Sequence, residues 1–410
     1  MNNSANTLSD TVQQELKYNW NIFGFAILIV SMGQLSLGLI FPLLPWIGLQ
    51  FSLDQTLSDN VIVTYLVGYG LSQLCYGPIS CLLGRKKTLL FGLSISIIGL
   101  GIILVFHDDF AILLLGRFIQ GLGGGCESVL ARSMIHDTYK GKSFLSAMTG
   151  LSIFSAFIPI FSPILGGLVN HNFGWVAVFI CIFSYTLLGY ILLFLKLPET
   201  LENKQKHISV ISIVHYYIAL LRDRYFLSYA VIGWINWALV VFALASAPFV
   251  IESQLKISSE HYSYWTIIPA IAFMCSSILC FLLRRSFGTH HIVFIAPIIQ
   301  IIVSAIFLFF PFNIINITIG FVGLAVAQAL VYPCSQALLL VPYSNKMGTV
   351  SALSGGGQMI SASIFLLIFW DVHIDNFYYL SLIILIVSII GLNFARLGKK
   401  SIAVAKFENQ

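Results

Sequence analysis

Between Leu113 and Arg132 this 410-residue chain places Arg117, Gln120 and Glu127 in a run otherwise made mostly of glycine and apolar residues. Advancing about 100° per residue along a helix, Arg117, Gln120, Gly124, Glu127 and Ser128 share roughly one face. Arg117 and Glu127 stand about 15 Å apart along the axis at the usual helical rise, too far for a direct salt bridge. They are near enough to communicate through Gln120, water or a bound molecule. Low dielectric disfavours the charged form of any carboxyl, the property required of a group that takes up and gives back protons near neutral pH. Glu127 is the acid lying well inside an apolar run, whereas Asp59, Glu252 and Asp371 stand at the ends of such runs, and the nine histidines fall in loops or near helix ends. A second reading makes Arg117 and Glu127 structural groups that bond backbone carbonyls. For the glycines Gly121, Gly123, Gly124 and Gly125, close helix packing of the small-xxx-small kind is the reading preferred to ligand contact.

The elements that must position these groups follow from composition. Hydrophobic residues make up 58% of the chain and charged residues 9%, against about 25% charged in a soluble domain. Such a chain cannot cover a water-exposed surface, so it reads as an all-α integral membrane protein. The same balance excludes a disordered chain and a nucleic-acid binder. Seven cysteines, odd in number and set in or beside apolar runs, read as buried thiols and not as a disulfide framework or metal ligands. A spanning helix needs about 20 apolar residues, and runs of that kind fall near 20–46, 60–83, 88–106, 111–134, 145–169, 175–197, 225–251, 262–283, 290–311, 314–341, 347–370 and 376–395. The longest interior polar stretch follows the sixth. The expected organisation is an N-terminal tail at 1–19, a six-helix bundle at 20–197, a linker at 198–224, a second six-helix bundle at 225–395 and a tail at 396–410.

Lys and Arg accumulate in cytoplasmic loops. With the N-terminus inside, 19 of the 21 Lys and Arg residues fall on the inner side, leaving Lys256 outside and Arg117 within a span. Both termini are therefore expected in the cytoplasm, and the net charge of +5 is explained by topology without an anionic partner. Several spans carry polar stripes that lipid would not tolerate. Gln328, Tyr332 and Gln336 recur at every fourth residue, and Tyr65, Tyr69, Ser72 and Tyr76 form a comparable row with Gln73 beside it. Trp234, Asn236 and Trp237 stand in the seventh span, Gln358 in the eleventh and Gln34 in the first. Together they predict a polar, aromatic-lined central cavity. Interhelical hydrogen bonding is the competing use of any one of them.

Gly77-Pro78-Ile79-Ser80 leading to Gly84-Arg85-Lys86-Lys87 resembles the first-loop motif of the major facilitator superfamily. Arg117, Gln120 and Gly121 are similar to the Arg-x-x-Gln-Gly pattern of its fourth helix, and Pro163, Gly166 and Gly167 to the end of its antiporter motif. Pro198-Glu199-Thr200 resembles the close of its first half. In order and spacing these segments cover nearly the whole chain, which resembles the drug/proton antiporters of that superfamily and, within them, the Bcr/CflA-type bacterial exporters. The resemblance implies the major facilitator fold, twelve transmembrane helices in two six-helix bundles built of inverted three-helix repeats around a midplane site. It also implies alternating access by rocking of the halves, with Gly77, Pro78, Gly84, Arg85, Pro163, Gly166 and Gly167 as conformational motif residues. Three departures stand out. Cys81-Leu82 replaces the usual Asp-Arg of the first loop, no acid occupies the first span, and Ser162 replaces a glycine before Pro163.

The function expected is proton-coupled export of a small amphipathic organic molecule across a bacterial inner membrane. Glu127 and Arg117 would carry the proton coupling. Gln34, Tyr65, Tyr69, Gln120, Trp234, Asn236, Trp237, Gln328, Tyr332, Gln336 and Gln358 would line the substrate route. The alternatives are a dedicated transporter of one metabolite, such as a siderophore or an amino-acid derivative, and a transporter-shaped receptor without flux. No phosphate-binding glycine loop, metal-spaced cluster or catalytic triad is found, so an enzyme, a cofactor and ATP drive are not expected. The expected partners are the substrate, protons and the bilayer, with the chain acting as a monomer.

Overall fold

The structure, a computed structural model, describes residues 19–407 apart from 202–203, 205–208, 250, 252–263, 312, 341, 344–346 and 370–376. Glu252, Lys256, Asp371 and the outermost tails, 1–18 and 408–410, lie outside the described residues. Those residues form helices with no strand among them. The first span is composite, α1 (Trp20–Gly38), a 3-10 turn (Phe41–Leu43) and α2 (Leu44–Phe51). Five further spans complete the first half: α3 (Gln55–Leu83), α4 (Arg85–Val105), α5 (Phe110–Thr138), α6 (Gly141–Phe173) and α7 (Trp175–Lys196). A short helix, α8 (Val210–Arg222), lies in the segment between the halves. The second half follows as α9 (Arg224–Pro248), α10 (Ile267–Phe287), α11 (Thr289–Phe309), α12 (Ile314–Leu340), α13 (Met347–Ile368) and α14 (Phe377–Phe407). The twelve spans correspond one to one with the twelve apolar runs. Ten are long and apolar enough to cross a membrane on length and composition alone. At 29 and 33 residues, α5 and α6 are also long enough, and in α5 the charges and glycines dilute the apolar signal.

Sequence chemistry sets the ends of these helices. Asp54 and Asp109 cap α3 and α5 by accepting hydrogen bonds from backbone N–H groups of the first turn, which would otherwise have no partner. Three pairs of spans are joined by a single glycine with positive φ: Gly84 (101°), Gly174 (80°) and Gly288 (75°). These corners join the second and third helices of the first, second and third groups of three spans. The matching corner of the last group lies outside the described residues. Repetition of the same device at the same place fits a fold built of three-helix repeats.

The first span breaks where the sequence reads as continuous through 20–46. Pro42 and Pro45 have no N–H to donate, and the chain tightens, so that Ile40 N donates to Leu37 O and not one residue further back. The carbonyl of Ser36 is thereby left for another donor. The 198–224 linker also differs from a plain polar connection, because α8 presents apolar side chains on part of its circumference.

The two halves touch at both ends. Near the end that carries Arg85 and Arg132, α3 runs against α13, and the contact is close because glycines face it. A Cβ on Gly70 would lie 2.9 Å from Gly356 O, and Gly77 lies against Ala352. There Arg132 Nη1 donates to Ser351 Oγ across the seam, at 3.1 Å. At the opposite end Leu37, Phe41, Ile47, Phe242, Ala247 and Leu366 join one buried cluster drawn from both halves.

Candidate proton and substrate site

Beside the second of these contacts, sharing Leu37 and Phe41 with it, lies a cavity of about 20 Å³, roughly the room of one water molecule. It is lined by Gln34, Leu37, Gly38 and Phe41 of the first span, Pro163 of α6, and Trp237, Val241 and Leu244 of α9. Both halves contribute to its wall. Gly38 lets α6 approach, since a Cβ there would stand 1.9 Å from Ser162 Oγ. The serine that replaces the usual motif glycine is thus accommodated by a glycine on the facing helix.

Arg117 is fully buried in the first half. Its Nε donates to Val61 O at 3.1 Å and its Nη1 to Ser36 O at 3.3 Å and to Gln120 Oε1 at 2.6 Å. The Ser36 carbonyl is the one freed by the proline-induced break in the first span. The guanidinium also lies 4.2 Å from the centre of the Tyr65 ring, a cation–π geometry. Arg117 Nη2 and Gln120 Nε2 are buried without a hydrogen-bond partner, so the cluster keeps two donor groups in reserve.

Glu127 is also buried, and its Oε2 makes no hydrogen bond. It lies against α1 where Gly33 has no side chain: a Cβ there would fall 2.2 Å from Glu127 Oε2 and 3.2 Å from Tyr69 Oη. Among the described residues no ion pair joins Arg117 to Glu127. Between them stand Tyr65 and Tyr69, ring centres 5.6 Å apart, with Tyr65 Oη donating to Gly33 O at 3.4 Å. Gly33 precedes Gln34, which lines the cavity, so the unpartnered carboxyl sits one residue along α1 from the cavity wall.

Close packing holds α5 in place. A Cβ on Gly121 would lie 2.2 Å from Tyr65 O, one on Gly125 2.6 Å from Tyr69 O, and one on Gly123 2.2 Å from Ser96 N. These glycines set backbone against backbone toward α3 and α4, the use that small residues serve in membranes.

The structure separates the remaining candidates into groups. Gln34 and Trp237 face the cavity. Tyr65, Tyr69 and Gln120 belong to the Arg117–Glu127 cluster. Trp234 Nε1 donates to Ser354 O and Gln336 Nε2 to Ser354 Oγ, tying α9 and α12 to α13. Asn236, Gln328 and Gln358 are buried, and Asn236 Oδ1 and Gln328 Oε1 have no partner. Tyr332 is half-buried. Leu37, Gly38, Phe41, Val241 and Leu244 escape the sequence reading because apolar residues in an apolar span carry no distinguishing signal. Pro42 was the sequence cue to the break beside them.

At the basic end, Gly84 turns the chain from α3, which contains Gly77 and Pro78, into α4. Arg85 Nε donates to Asp137 Oδ2 at 2.8 Å and Nη1 to Ser80 Oγ at 2.5 Å, while Glu199 Oε1 accepts Arg85 N at 2.7 Å. The acid absent from the Cys81-Leu82 pair is thus matched by one on α5. Asp137 lies past the apolar run of its helix. Burial pushes its carboxyl up, but the neighbouring His136 and Arg85 outweigh that and hold it below its ordinary value. On the far side of the fold, Pro163, Gly166 and Gly167 are buried in α6, and a Cβ on Gly166 would meet Leu39 O at 2.4 Å.

The sequence profile of the Major Facilitator Superfamily matches residues 25–366, and the chain belongs to that superfamily. It is 29% identical over 228 residues to an uncharacterized transporter of Rickettsia felis (strain ATCC VR-1525 / URRWXCal2), over 53% of this chain and 54% of that protein. There the chain spans about half the relative's length. With Multidrug resistance protein MdtL of Escherichia coli O81 (strain ED1a) it is 25% identical over 352 residues, 84% of this chain and 86% of that protein. Among solved structures, a D-xylose-proton symporter superposes with a TM-score of 0.70 over 93% of this chain and 97% of that one, at 16% identity. That likeness bears on the fold alone. The chain is a multi-pass membrane transporter and not an enzyme.

Proposed function

We propose that this protein is a proton-coupled exporter of small amphipathic organic molecules, working by alternating access in a bacterial inner membrane with both termini in the cytoplasm. The observation that carries the reading is the buried, unpartnered Glu127 carboxyl beside Gly33, next to the wall of a cavity shared by both halves. Protonation of Glu127 and binding of substrate compete. Arg117, held by Gln120 and two backbone carbonyls, keeps a fixed positive charge beyond the Tyr65–Tyr69 pair and so favours proton release when substrate arrives. The aromatic and amide groups of the second half, Trp237 first among them, contact the substrate. The Arg132–Ser351 bond across the seam holds the cytoplasmic side closed, and its release opens it. The protein acts as a monomer, and the multidrug-resistance name of its Escherichia coli relative supports an efflux role.

Substrate added to purified, unbuffered protein should release protons from the wild type and none from Glu127→Gln. Equal release from both would remove Glu127 from the coupling step. A second reading, a transporter dedicated to one hydrogen-bonding metabolite, is favoured by the unpartnered buried groups of Asn236, Gln328 and Trp237. A panel of toxic lipophilic cations set beside a labelled polar metabolite separates the two.

A further inference from the structure

The short helix between the halves, α8, divides its circumference three ways. At about 100° per residue, Ile211, Val214, Ile218 and Leu221 fall within about 80° of one another. Their exposures are 69, 48, 42 and 42%, so an unbroken apolar stripe faces away from the protein. A second sector carries Tyr216, Tyr217 and Leu220 inward. Leu220 is buried, and Tyr217 Oη donates to Leu74 O of α3 at 2.9 Å. The remaining sector carries Ser212, His215 and Arg222, all exposed. A helix docked by one face, apolar on the next and polar on the third has the form of a helix lying along a bilayer surface.

Two facts name the occupant of the apolar sector. Only Asp223 separates α8 from α9, a span of the second half, so the end of α8 is fixed at the level where that span enters the membrane. Cations flank the C-terminal end of the stripe. Arg222 ends α8 and Arg224 starts α9, both exposed, and among the described residues no ion pair engages them. The acid between them is already in use: Asp223 accepts from Tyr225 N and Tyr343 Oη. An apolar stripe ending in free positive charge is complementary to acyl chains below negatively charged headgroups.

We propose that α8 is an interfacial helix that seats Ile211, Val214, Ile218 and Leu221 in the adjacent leaflet and gathers anionic phospholipid headgroups with Arg222 and Arg224. Through Tyr217 the helix bonds α3, one side of the seam between the halves, and it packs against α13, the other side. Lipid held by α8 therefore bears on the element that bridges the seam. The proposal rests on the membrane fold and not on the identity of the substrate or on proton coupling.

The test uses the full chain in vesicles, with its native cysteines replaced and single spin labels placed by Ile211→Cys, Val214→Cys, Ile218→Cys or His215→Cys. Labels on the stripe should collide with oxygen more than with a water-soluble nickel complex, and the label at 215 should show the reverse. Raising phosphatidylglycerol from none to a third of a phosphatidylcholine bilayer should move the stripe labels deeper, and the double substitution Arg222→Gln, Arg224→Gln should abolish that shift. Stripe labels as open to nickel as position 215, or shielded from both reagents by protein, would overturn the membrane seat. Equal depth in both lipids would overturn the anionic selectivity. Native mass spectrometry of the chain with all its cysteines gives an independent readout: phosphatidylglycerol should remain bound in preference to phosphatidylcholine, and the double arginine variant should lose that preference. Equal retention of the two lipids by the unsubstituted chain would contradict the proposal.

Discussion

Glu127 lies in its pocket because Gly33 has no side chain, and that relation can be tested without touching the carboxyl. Gly33→Ala brings a methyl to 2.2 Å from Glu127 Oε2, but the atom it meets is the free end of a side chain, which can swing away. The variant should fold and still bind substrate, with proton release per substrate reduced or lost. Isothermal titration in two buffers of different ionisation enthalpy would measure that release, and an unchanged value would show that the carboxyl's position does not matter. Arg117, Gln120 and Glu127 are legible in the sequence because charge is conspicuous inside an apolar run, and helical spacing alone puts them on one face. Gly33 and the Ser36 carbonyl are not legible. Their part depends on which helix faces α5 and on a backbone bond redirected by a proline several residues away.

At the scale of the element, α5 is placed by backbone contact. Gly121→Ala sets a methyl 2.2 Å from the Tyr65 carbonyl, where no rotamer change can relieve it, and overpacking of this kind costs about 1–3 kcal/mol. Gly101→Ala, with nothing within 4 Å, should be neutral or stabilising by up to about 1 kcal/mol. Thermal unfolding in detergent compares the two, and similar midpoints would contradict the packing account. The Arg85–Asp137 pair joins the start of α4 to the end of α5. Because the folded protein holds the Asp137 carboxyl below its ordinary value, the pair stabilises at pH above about 4, the unfolded carboxylate value, and loses that contribution as the pH falls through the folded value. The stability gap between wild type and Asp137→Asn should thus be present at neutral pH and close in acid; a gap that widens in acid would reverse the sign of the argument. Hydropathy marks most of the spans clearly and α5 more weakly, since burial in lipid requires a long apolar run whatever its neighbours are. It misses the break at Phe41–Leu43 and the helix at 210–222. The first is a local rearrangement inside a run that remains apolar, and the second is too short to span and is apolar on only part of its surface.

Across the whole molecule, the halves touch at both ends, and a cavity of single-water size is lined from both of them. A transporter caught there must open one end to load and the other to discharge, so the contacts at the two ends must break at different times. The seam at the basic end sets the glycines of α3 and α13 against backbone and side chains of the other helix, Gly70 against Gly356 and Ile360 and Gly355 against Gln73, with Arg132 and Ser351 bonded across it. The sequence foretells the all-helical major facilitator fold, but not the size of the cavity, which depends on how the helices of the two halves pack and is not encoded in composition and spacing. The account's central claim is that Glu127 couples the proton gradient to this motion, and its most direct test is reconstitution into liposomes with an imposed pH gradient and a chemically varied substrate panel. Wild-type protein should move at least one amphipathic substrate against its concentration in exchange for protons, and Glu127→Gln should bind that substrate and equilibrate it without accumulation. Gradient-driven accumulation by Glu127→Gln at the wild-type rate would contradict the claim.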